Sequence, residues 1–280
     1  MNRKKVLLVG AGIMGTNIIQ HLLSDYIVYI YYPKNKYDMP KSVQILHNID
    51  EFPDKLDYII SFLPDDDAAF SVWKHPNVID IIKRSSSVCI EHSTLSVQAI
   101  MKLDCLVRSV GGVFIECPVT GGSAGAVAGE LIGFVGIHED DELMNHYIKK
   151  YYRFNSIGVA TKFKLLYNIW GLCYLYFFSE YVPILEEEFE KKDRDVAIEA
   201  LKANGPMAAI CTSQLDKIIN ERYGDVNFKY ANMLKDMNYA RNEFKMYHIP
   251  ISDMIVEFCK GFLDDTNRKC DYTIVAEIHK

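Results

Sequence analysis

The sequence lacks an excess of positive charge. Its 280 residues include 31 lysines and arginines against 37 aspartates and glutamates, which gives a formal net charge of −6. Proteins that bind nucleic acid usually present a basic surface to the phosphates. The composition therefore argues against a nucleic acid partner, and we expect a small-molecule ligand instead.

The chain also lacks paired cysteines. Its seven cysteines are scattered, odd in number and without any C-x-x-C spacing. We therefore expect reduced thiols in a cytoplasmic protein, and neither a disulfide framework nor a zinc site. No clustered set of histidine, cysteine and aspartate resembles the ligands of a metal dehydrogenase, so we predict that no metal is used.

Internal repeats and low-complexity linkers are absent as well, and the first residues are not typical of a signal peptide. The basic start at residues 1–5 leads into an apolar run that glycines interrupt at once, which predicts a first strand. One longer stretch, residues 165–185, has the length and apolar character to span a bilayer. Because it contains Asn168, Glu180 and Pro183, we predict instead a helix buried on all sides within a domain or a subunit interface.

A glycine-rich turn follows the first apolar strand, residues 6–9, and precedes an amphipathic stretch. This order of strand, G-x-G-x-x-G and helix is the dinucleotide-binding pattern. The first glycine permits the tight turn, the second lets the backbone approach a pyrophosphate, and the third lets helix and strand pack closely. A tight turn without a ligand is the alternative. The residues predicted to bind the cofactor here are Gly10, Gly12, Ile13, Met14 and Gly15.

The second predicted strand, residues 26–31, ends without the acid that NAD sites use to bind the ribose hydroxyls. Tyr32, Lys34 and Lys36 follow it instead. Lysines at this position favour a 2′-phosphate, so we predict NADP rather than NAD, with Tyr32 and Lys34 at the cofactor. A solvated loop that happens to carry lysines is the alternative.

Three further strands of the first half end in residues suited to a ligand. These ends are Leu63-Pro64, Ser93-Thr94 and Thr120-Gly121-Gly122. Ligands of open parallel sheets bind at the carboxyl ends of the strands, and glycines there let backbone N–H groups face an anion. Each end taken alone is also explained by a turn. Residues 131–135 and 152–157 are predicted as closing strands, with a helix over 140–151 between them.

The pattern changes near residue 157, after which helical periodicity dominates. We therefore predict an α/β dinucleotide-binding domain over residues 1–157 and an all-helical domain over 158–280, joined by a long helix. Lys164 and Asn168 lie four residues apart near the start of that helix and hence on one face. A lysine beside an amide is suited to proton transfer; a solvated pair of helix-start lysines, Lys162 and Lys164, is the alternative.

The order of these motifs resembles the β-hydroxyacid dehydrogenase family, which includes 3-hydroxyisobutyrate dehydrogenase and the glyoxylate and succinic semialdehyde reductases. The resemblance covers nearly the whole chain. The matching segments are residues 9–15 for the cofactor loop, 91–94 for D-x-S-T, 116–122 for D-A-P-V-S-G-G, 158–168 for G-x-G-x-x-x-K-x-x-x-N, and 228–240 for the helix with a lysine–aspartate pair.

The resemblance implies a Rossmann-type domain, an all-helical domain and a homodimer or homotetramer. It also implies hydride transfer between NAD(P) and a small β-hydroxyacid or the matching semialdehyde or keto acid. Lys164 corresponds to the catalytic acid/base, and Asn168 to the residue that orients the substrate. The residues implied to bind the substrate carboxylate are Ser93, Thr120, Gly121, Gly122 and Lys235. Leu63, Pro64 and Thr94 are implied at the cofactor.

The sequence departs from the family pattern at several positions. Glu91 and Glu116 replace aspartates, Ala160 replaces a glycine, and Asn242 stands where several members have an aspartate. The usual arginine after the second strand is missing; Lys34, a point charge, stands in its place. Two alternative functions are an imine reductase of the same fold, disfavoured by Lys164, and a cofactor-binding module without catalysis.

Overall fold

Two groups of internally packed elements make up the chain. Contacts divide it into a first unit, Met1–Leu165, and a second unit, Leu166–Lys280. The structure, a computed structural model, describes residues 3–10, 12–31, 39–137, 142–205 and 208–279. The boundary between the two units lies within the first turns of the long helix predicted from the sequence. The division into two functional domains at residue 157 stays a prediction.

A parallel sheet forms the centre of the first unit. Its short strands consist of β-branched and other apolar residues, and β1 has the fully buried run expected of a strand covered on both faces. The described strands are β1 Lys5–Val9, β2 Ile27–Tyr31, β3 Gln44–Leu46, β4 Tyr58–Ser61, β5 Val88–Glu91 and β6 Val113–Glu116. They pair in the order β3-β2-β1-β4-β5-β6, all parallel, which is the Rossmann order.

Helices cover both faces of this sheet. They are α1 Ile13–Ile18, α2 Asp66–Trp73, α3 Pro76–Ser85 and α4 Val97–Ser109. Three start at side-chain caps, because Asp65 accepts the N–H of Ala68 at 2.9 Å, His75 Nδ1 accepts that of Asn77 at 3.3 Å and Ser96 accepts that of Ala99 at 3.1 Å. Alternate residues of β1 enter separate cores, with Leu8 in one and Leu7 in the other.

A smaller sheet follows β6. It comprises β7 Val119–Thr120, β8 Leu131–Val135 and β9 Ile148–Arg153, with α5 Gly122–Ala128 between its first two strands. β8 pairs with β7 antiparallel and with β9 parallel. The predicted strand over 131–135 is therefore confirmed.

The helix predicted over residues 140–151 is wrong for its described residues, and the closing strand predicted over 152–157 begins and ends four residues earlier. The described part of that region has a short 3₁₀ turn, Met144–His146, and then β9. In β9 a buried Ile148 is followed by mostly exposed lysines, tyrosines and arginine. The apolar side chains of residues 143–151 recur at helical spacing, and pairing with β8 makes the end of this segment a strand in spite of that pattern.

The regular elements described in the second unit are all helical, apart from one isolated β-bridge between Lys229 and Asp271. α6, Val159–Glu188, begins in the first unit and continues into the second. The other helices are α7 Lys191–Ala203, α8 Ala208–Ile210, α9 Asp216–Ile219, α10 Tyr230–Glu243 and α11 Pro250–Phe262, with a π-helical segment, Cys211–Leu215, between α8 and α9. The predicted Rossmann-type domain followed by an all-helical part and a long connecting helix is confirmed.

The burial of α6 differs from the prediction. Leu172, Leu175 and Val182 are buried, but Trp170 is 74% exposed and Tyr181 is 59% exposed. The helix is therefore amphipathic within this chain, and the prediction that it is buried on all sides is wrong for the single copy. None of the described helices has both the length and the apolar character needed to cross a bilayer. Residues 165–185 are therefore less apolar than a membrane-spanning helix requires.

Candidate functional site in the two units

The glycine-rich turn joins β1 to α1 with little free space. Gly10 has φ +101°, and a Cβ there would lie 2.1 Å from the carbonyl oxygen of Phe62. A Cβ on Gly15 would lie 2.2 Å from the carbonyl oxygen of Gly10. Both positions therefore require glycine. Gly10 allows the turn and the close contact with Phe62, the residue after β4, and Gly15 allows α1 to pack closely on the strand.

Gly12 differs from these two glycines because its space is open. It is the N-cap of α1, with φ −88°, and no atom lies within 4 Å of where its Cβ would be. Because glycine has no side chain, the backbone at this position is accessible to a ligand, as the binding of a pyrophosphate requires. Ile13 and Met14 form the first turn beside it, where free N–H groups favour an anion. These residues fit a dinucleotide; the predicted Tyr32 and Lys34 lie outside the described residues.

The ends of β4 and β5 are joined through Ser93. Its hydroxyl accepts the N–H of Leu63 at 2.7 Å, and its own N–H donates to Glu91 Oε1 at 2.8 Å. The other carboxylate oxygen, Glu91 Oε2, accepts the indole N–H of Trp73 at 2.8 Å. Ser93 is only 4% exposed, so its hydroxyl holds the two strand ends together. Pro64, which is exposed, and Thr94, which is partly buried, continue these two ends.

Glu91 is fully buried at the end of β5. Burial raises the pKa of this carboxyl, and the hydrogen bonds from Ser93, Ser61 and Trp73 oppose that shift because they favour the charged form. Sequence reasoning treated Glu91 only as a substitution for aspartate. The structure assigns it to the support of the loop residues Leu63 and Ser93.

His92 was not predicted as a site residue. Its Nδ1 lies 2.6 Å from the carbonyl oxygen of Cys117, and its Nε2 lies 2.9 Å from the hydroxyl of Tyr147. A carbonyl only accepts, so Nδ1 carries the hydrogen and Nε2 accepts from Tyr147. Burial lowers the pKa of His92 to about 4, and the imidazole is neutral at physiological pH. It links β5 to the loop that starts at Cys117.

The predicted substrate loop lies between β7 and α5. Thr120 ends β7 and pairs with Ile132 of β8. Gly121 and Gly122 have φ +122° and +62°, values that favour glycine, and the space beside Gly122 is open. The loop therefore presents a glycine backbone at a strand end, as the sequence suggested.

Lys164 lies on the buried face of α6. It is 6% exposed and shares that face with Ala160, Thr161 and Leu165, each 0% exposed. Lys162, two residues earlier, is exposed. Lysine is rarely buried to this extent unless its charge has a partner. Burial contradicts the alternative that Lys164 is a solvated helix-start residue, whereas Lys162 fits that description.

A cluster in the second unit connects Asn168 to Lys235. The amide Nδ2 of Asn168 donates to Asp236 Oδ2 at 2.6 Å, and the ammonium of Lys235 lies 2.8 Å from Asp236 Oδ1. Asp236 is 1% exposed. The two residues predicted from the sequence therefore share one buried carboxylate, which the sequence analysis named only as part of a lysine–aspartate pair.

Comparisons with known proteins agree with these motifs. The model for the NAD binding domain of 6-phosphogluconate dehydrogenase matches residues 5–148, more than half of the chain. Mitochondrial 3-hydroxyisobutyrate dehydrogenase of Mus musculus is 30% identical over 142 residues, which cover 48% of this chain and 41% of the mouse protein. The matched region thus spans less than half the length of that relative.

Solved structures resemble the chain over nearly its full length. 3-hydroxyisobutyrate dehydrogenase from Salmonella typhimurium gives a TM-score of 0.80 at 15% identity and covers 98% of this chain and 99% of its own. The Mycobacterium tuberculosis enzyme of the same name, with L-serine, gives 0.71 at 19% identity and covers 99% of both chains. These identities show the fold alone. The match to the family model over more than half of the chain, together with the motif order and the 3-hydroxyisobutyrate dehydrogenase relatives, shows that this chain belongs to the β-hydroxyacid dehydrogenase family.

Proposed function

We propose that the chain is an NAD(P)-dependent oxidoreductase that transfers a hydride between the cofactor and a small β-hydroxyacid or the matching semialdehyde or keto acid. The burial of Lys164 carries this proposal. A long, charged side chain on the buried face of a helix is costly unless its charge is used or paired. Its position in the sequence corresponds to the acid/base lysine of the family.

The chain's own groups have distinct tasks in this proposal. The nicotinamide, when bound, supplies or accepts the hydride. Lys164 takes the hydroxyl proton in oxidation and donates a proton to the carbonyl in reduction. Asp236 fixes the amide of Asn168, which orients the substrate or Lys164. Backbone N–H groups at Thr120, Gly121 and Gly122 bind the substrate carboxylate. Lys235 provides a positive charge for the same carboxylate, and Ser93 is assigned to it by resemblance.

Turnover with a panel of substrates tests the proposal. The panel contains small β-hydroxyacids with the oxidised cofactor, semialdehydes and keto acids with the reduced cofactor, and cyclic imines as the competing class. We expect activity with a hydroxyacid and its carbonyl partner. Reduction of imines alone would favour the imine reductase alternative, and tight cofactor binding without turnover of any class would favour a binding module.

The seven described cysteines are all free. This agrees with a reducing compartment, and we propose the cytoplasm as the location. Fractionation of the source cells with a marker for each compartment would test that assignment.

Cofactor choice is the first measurable consequence. Because β2 ends without an acid and is followed by Lys34 and Lys36, we expect NADP(H) to bind at least tenfold more tightly than NAD(H). A hydrogen bond to a charged group contributes about 1.5–3 kcal/mol, which corresponds to such a ratio. Fluorescence titration of NADPH and NADH at moderate salt measures it.

Two variants make this measurement specific. Lys34→Ala should weaken NADPH binding and leave NADH binding within about twofold, since only NADPH carries the 2′-phosphate. Lys41→Ala, at an exposed position after the same loop, should change neither. Equal or tighter binding of NADH to the unmodified chain would show that the preference is wrong.

Association of copies is the second consequence. Trp170, Phe177 and Tyr181 of α6 are 74%, 45% and 59% exposed. An exposed apolar row of this kind is typical of an interaction surface, and we propose a homodimer or homotetramer that covers it. Gel filtration with light scattering at micromolar concentration should give a mass above the 32.1 kDa of one chain.

Trp170 also provides a local probe of association. The chain has two tryptophans, and the other, Trp73, is fully buried. Iodide should therefore quench Trp170 more at low protein concentration than at high concentration. Trp170→Asp should shift the mass towards the monomer. A clean monomer at micromolar concentration would contradict the proposed assembly.

A further inference from the structure

The long helix α6 begins without a cap from its own sequence. The first helical hydrogen bond runs from the N–H of Lys162 to the carbonyl of Gly158. Gly158 has no side chain; its φ of +86° favours glycine, and a Cβ there would lie 3.1 Å from Val97 Cγ1. The first N–H groups of a helix have no partner within the helix, so other groups must satisfy them.

Glu116 supplies that cap from the end of β6. Its Oε2 accepts the N–H of Gly158 and its Oε1 accepts the N–H of Thr161, both at 2.6 Å. The partners are 42 and 45 residues away along the chain. One carboxylate thus does what two residues do in a capping box, and its charge suits the positive end of the helix dipole.

The surrounding backbone leaves room for this carboxylate. A Cβ on Gly136 would lie 2.7 Å from Glu116 Oε2, so glycine at position 136 is needed for the carboxylate to reach Gly158. The N–H of Gly136 also donates to the backbone oxygen of Glu116 at 3.1 Å. Glu116 is 1% exposed. It therefore joins the ends of β6 and β8 to the start of α6 inside the first unit.

These contacts connect Glu116 to the residue proposed to transfer the proton. Thr161 lies three residues before Lys164, about one turn away on the same helix. Cys117, which begins the substrate loop, directly follows Glu116. We infer that Glu116 is a positioning residue, which holds the first turn of α6, and so Lys164, at a fixed distance from the loop that binds the substrate. This inference rests on the proposed function of Lys164.

Glu116→Gln tests it, because an amide has only one acceptor oxygen for two N–H donors. Misplacing a catalytic group by 1 Å can cost about 10²-fold in rate, so we expect kcat to fall by about ten- to a hundredfold. NADPH affinity should stay within about twofold. Gly136→Ala displaces the same carboxylate without removing its charge and should lower kcat in the same direction.

A double-mutant cycle with Lys164→Ala separates positioning from general loss of structure. If Glu116 acts through Lys164, Glu116→Gln should lower kcat by less than about twofold in the Lys164→Ala background. Penalties that multiply would overturn the inference. The control is Glu51→Gln, which neutralises a carboxylate at another helix start, the short 3₁₀ turn Ile49–Glu51, and should keep kcat within about twofold.

The outcomes distinguish the inference from the function on which it rests. If Lys164→Ala retains turnover, the proton-transfer role of Lys164, on which the inference rests, is wrong. If Lys164→Ala is inactive while Glu116→Gln and Gly136→Ala both keep full kcat, the function stands and the positioning role is wrong. If Glu116→Gln does not fold, as judged by circular dichroism, Gly136→Ala and its own cycle with Lys164→Ala decide the question.

Discussion

Lys164→Ala should lower kcat by about 10²–10⁴-fold, the range found when a general acid or base is removed. The side chain is 6% exposed on the buried face of α6. NADPH affinity should stay within a few fold, because β1, α1 and the backbone at Phe62 determine the glycine loop. Steady-state kinetics with the best substrate, together with NADPH titration, would measure both quantities.

Lys162→Ala is the matched control for this variant. It removes the same ammonium from an exposed position two residues earlier, rotated by about 200° around the helix. We expect its kcat to stay within about twofold of the unmodified enzyme. A Lys164→Ala enzyme that keeps most of its turnover would show that another group transfers the proton.

Local chemistry explains which parts of the fold could be predicted from the sequence. The glycines of the cofactor loop are required by their immediate surroundings, as the 2.1 Å and 2.2 Å Cβ contacts at Gly10 and Gly15 illustrate. Buried apolar strands such as β1 are likewise identified by their composition. The order of strand, glycine turn and helix was therefore sufficient to predict the Rossmann-type domain and its family.

Features that depend on distant partners could not be predicted in the same way. Four of the six residues of β9 were assigned to a helix, because the pairing of β9 with β8 is a tertiary contact. Glu116 was identified only as a replacement for aspartate, since its partners at Gly158 and Thr161 lie over 40 residues away. The contact of the Ser93 hydroxyl with the N–H of Leu63 joins two strand ends and could not be inferred from the sequence, which indicated only a substrate role by resemblance.

The same reasoning applies to α6. Its apolar content suggested complete burial, but composition does not show which face a helix buries. The structure separates Leu172 and Leu175, both at most 5% exposed, from Trp170 at 74%. The burial predicted from composition would therefore be reached only if copies of the chain associate through this face, which stays a proposal.

Acidification should destabilise the protein through His92. Burial lowers its pKa to about 4 in the folded state, against about 6.5 in an unfolded chain. The unfolded state therefore binds a proton in this interval while the folded state does not, and the stabilising contribution is lost as the pH falls from about 6.5 to 4. The loss amounts to about 3 kcal/mol. Urea unfolding between pH 7 and 4 would measure it.

His92→Gln isolates this effect, because an amide can donate to the Cys117 carbonyl and accept from Tyr147 but does not titrate. Glu91 and Glu116 act in the opposite direction: burial raises their pKa values, so the folded state takes up their protons first and gains stability as the pH falls. The difference between the pH profiles of His92→Gln and the unmodified protein therefore gives the contribution of His92. Between pH 7 and 4, the free energy of unfolding should decrease by about 3 kcal/mol less in His92→Gln than in the unmodified protein. His47→Gln, at an exposed position, should keep the profile of the unmodified protein. Parallel profiles for His92→Gln and the unmodified chain would show that His92 binds its proton equally well in both states.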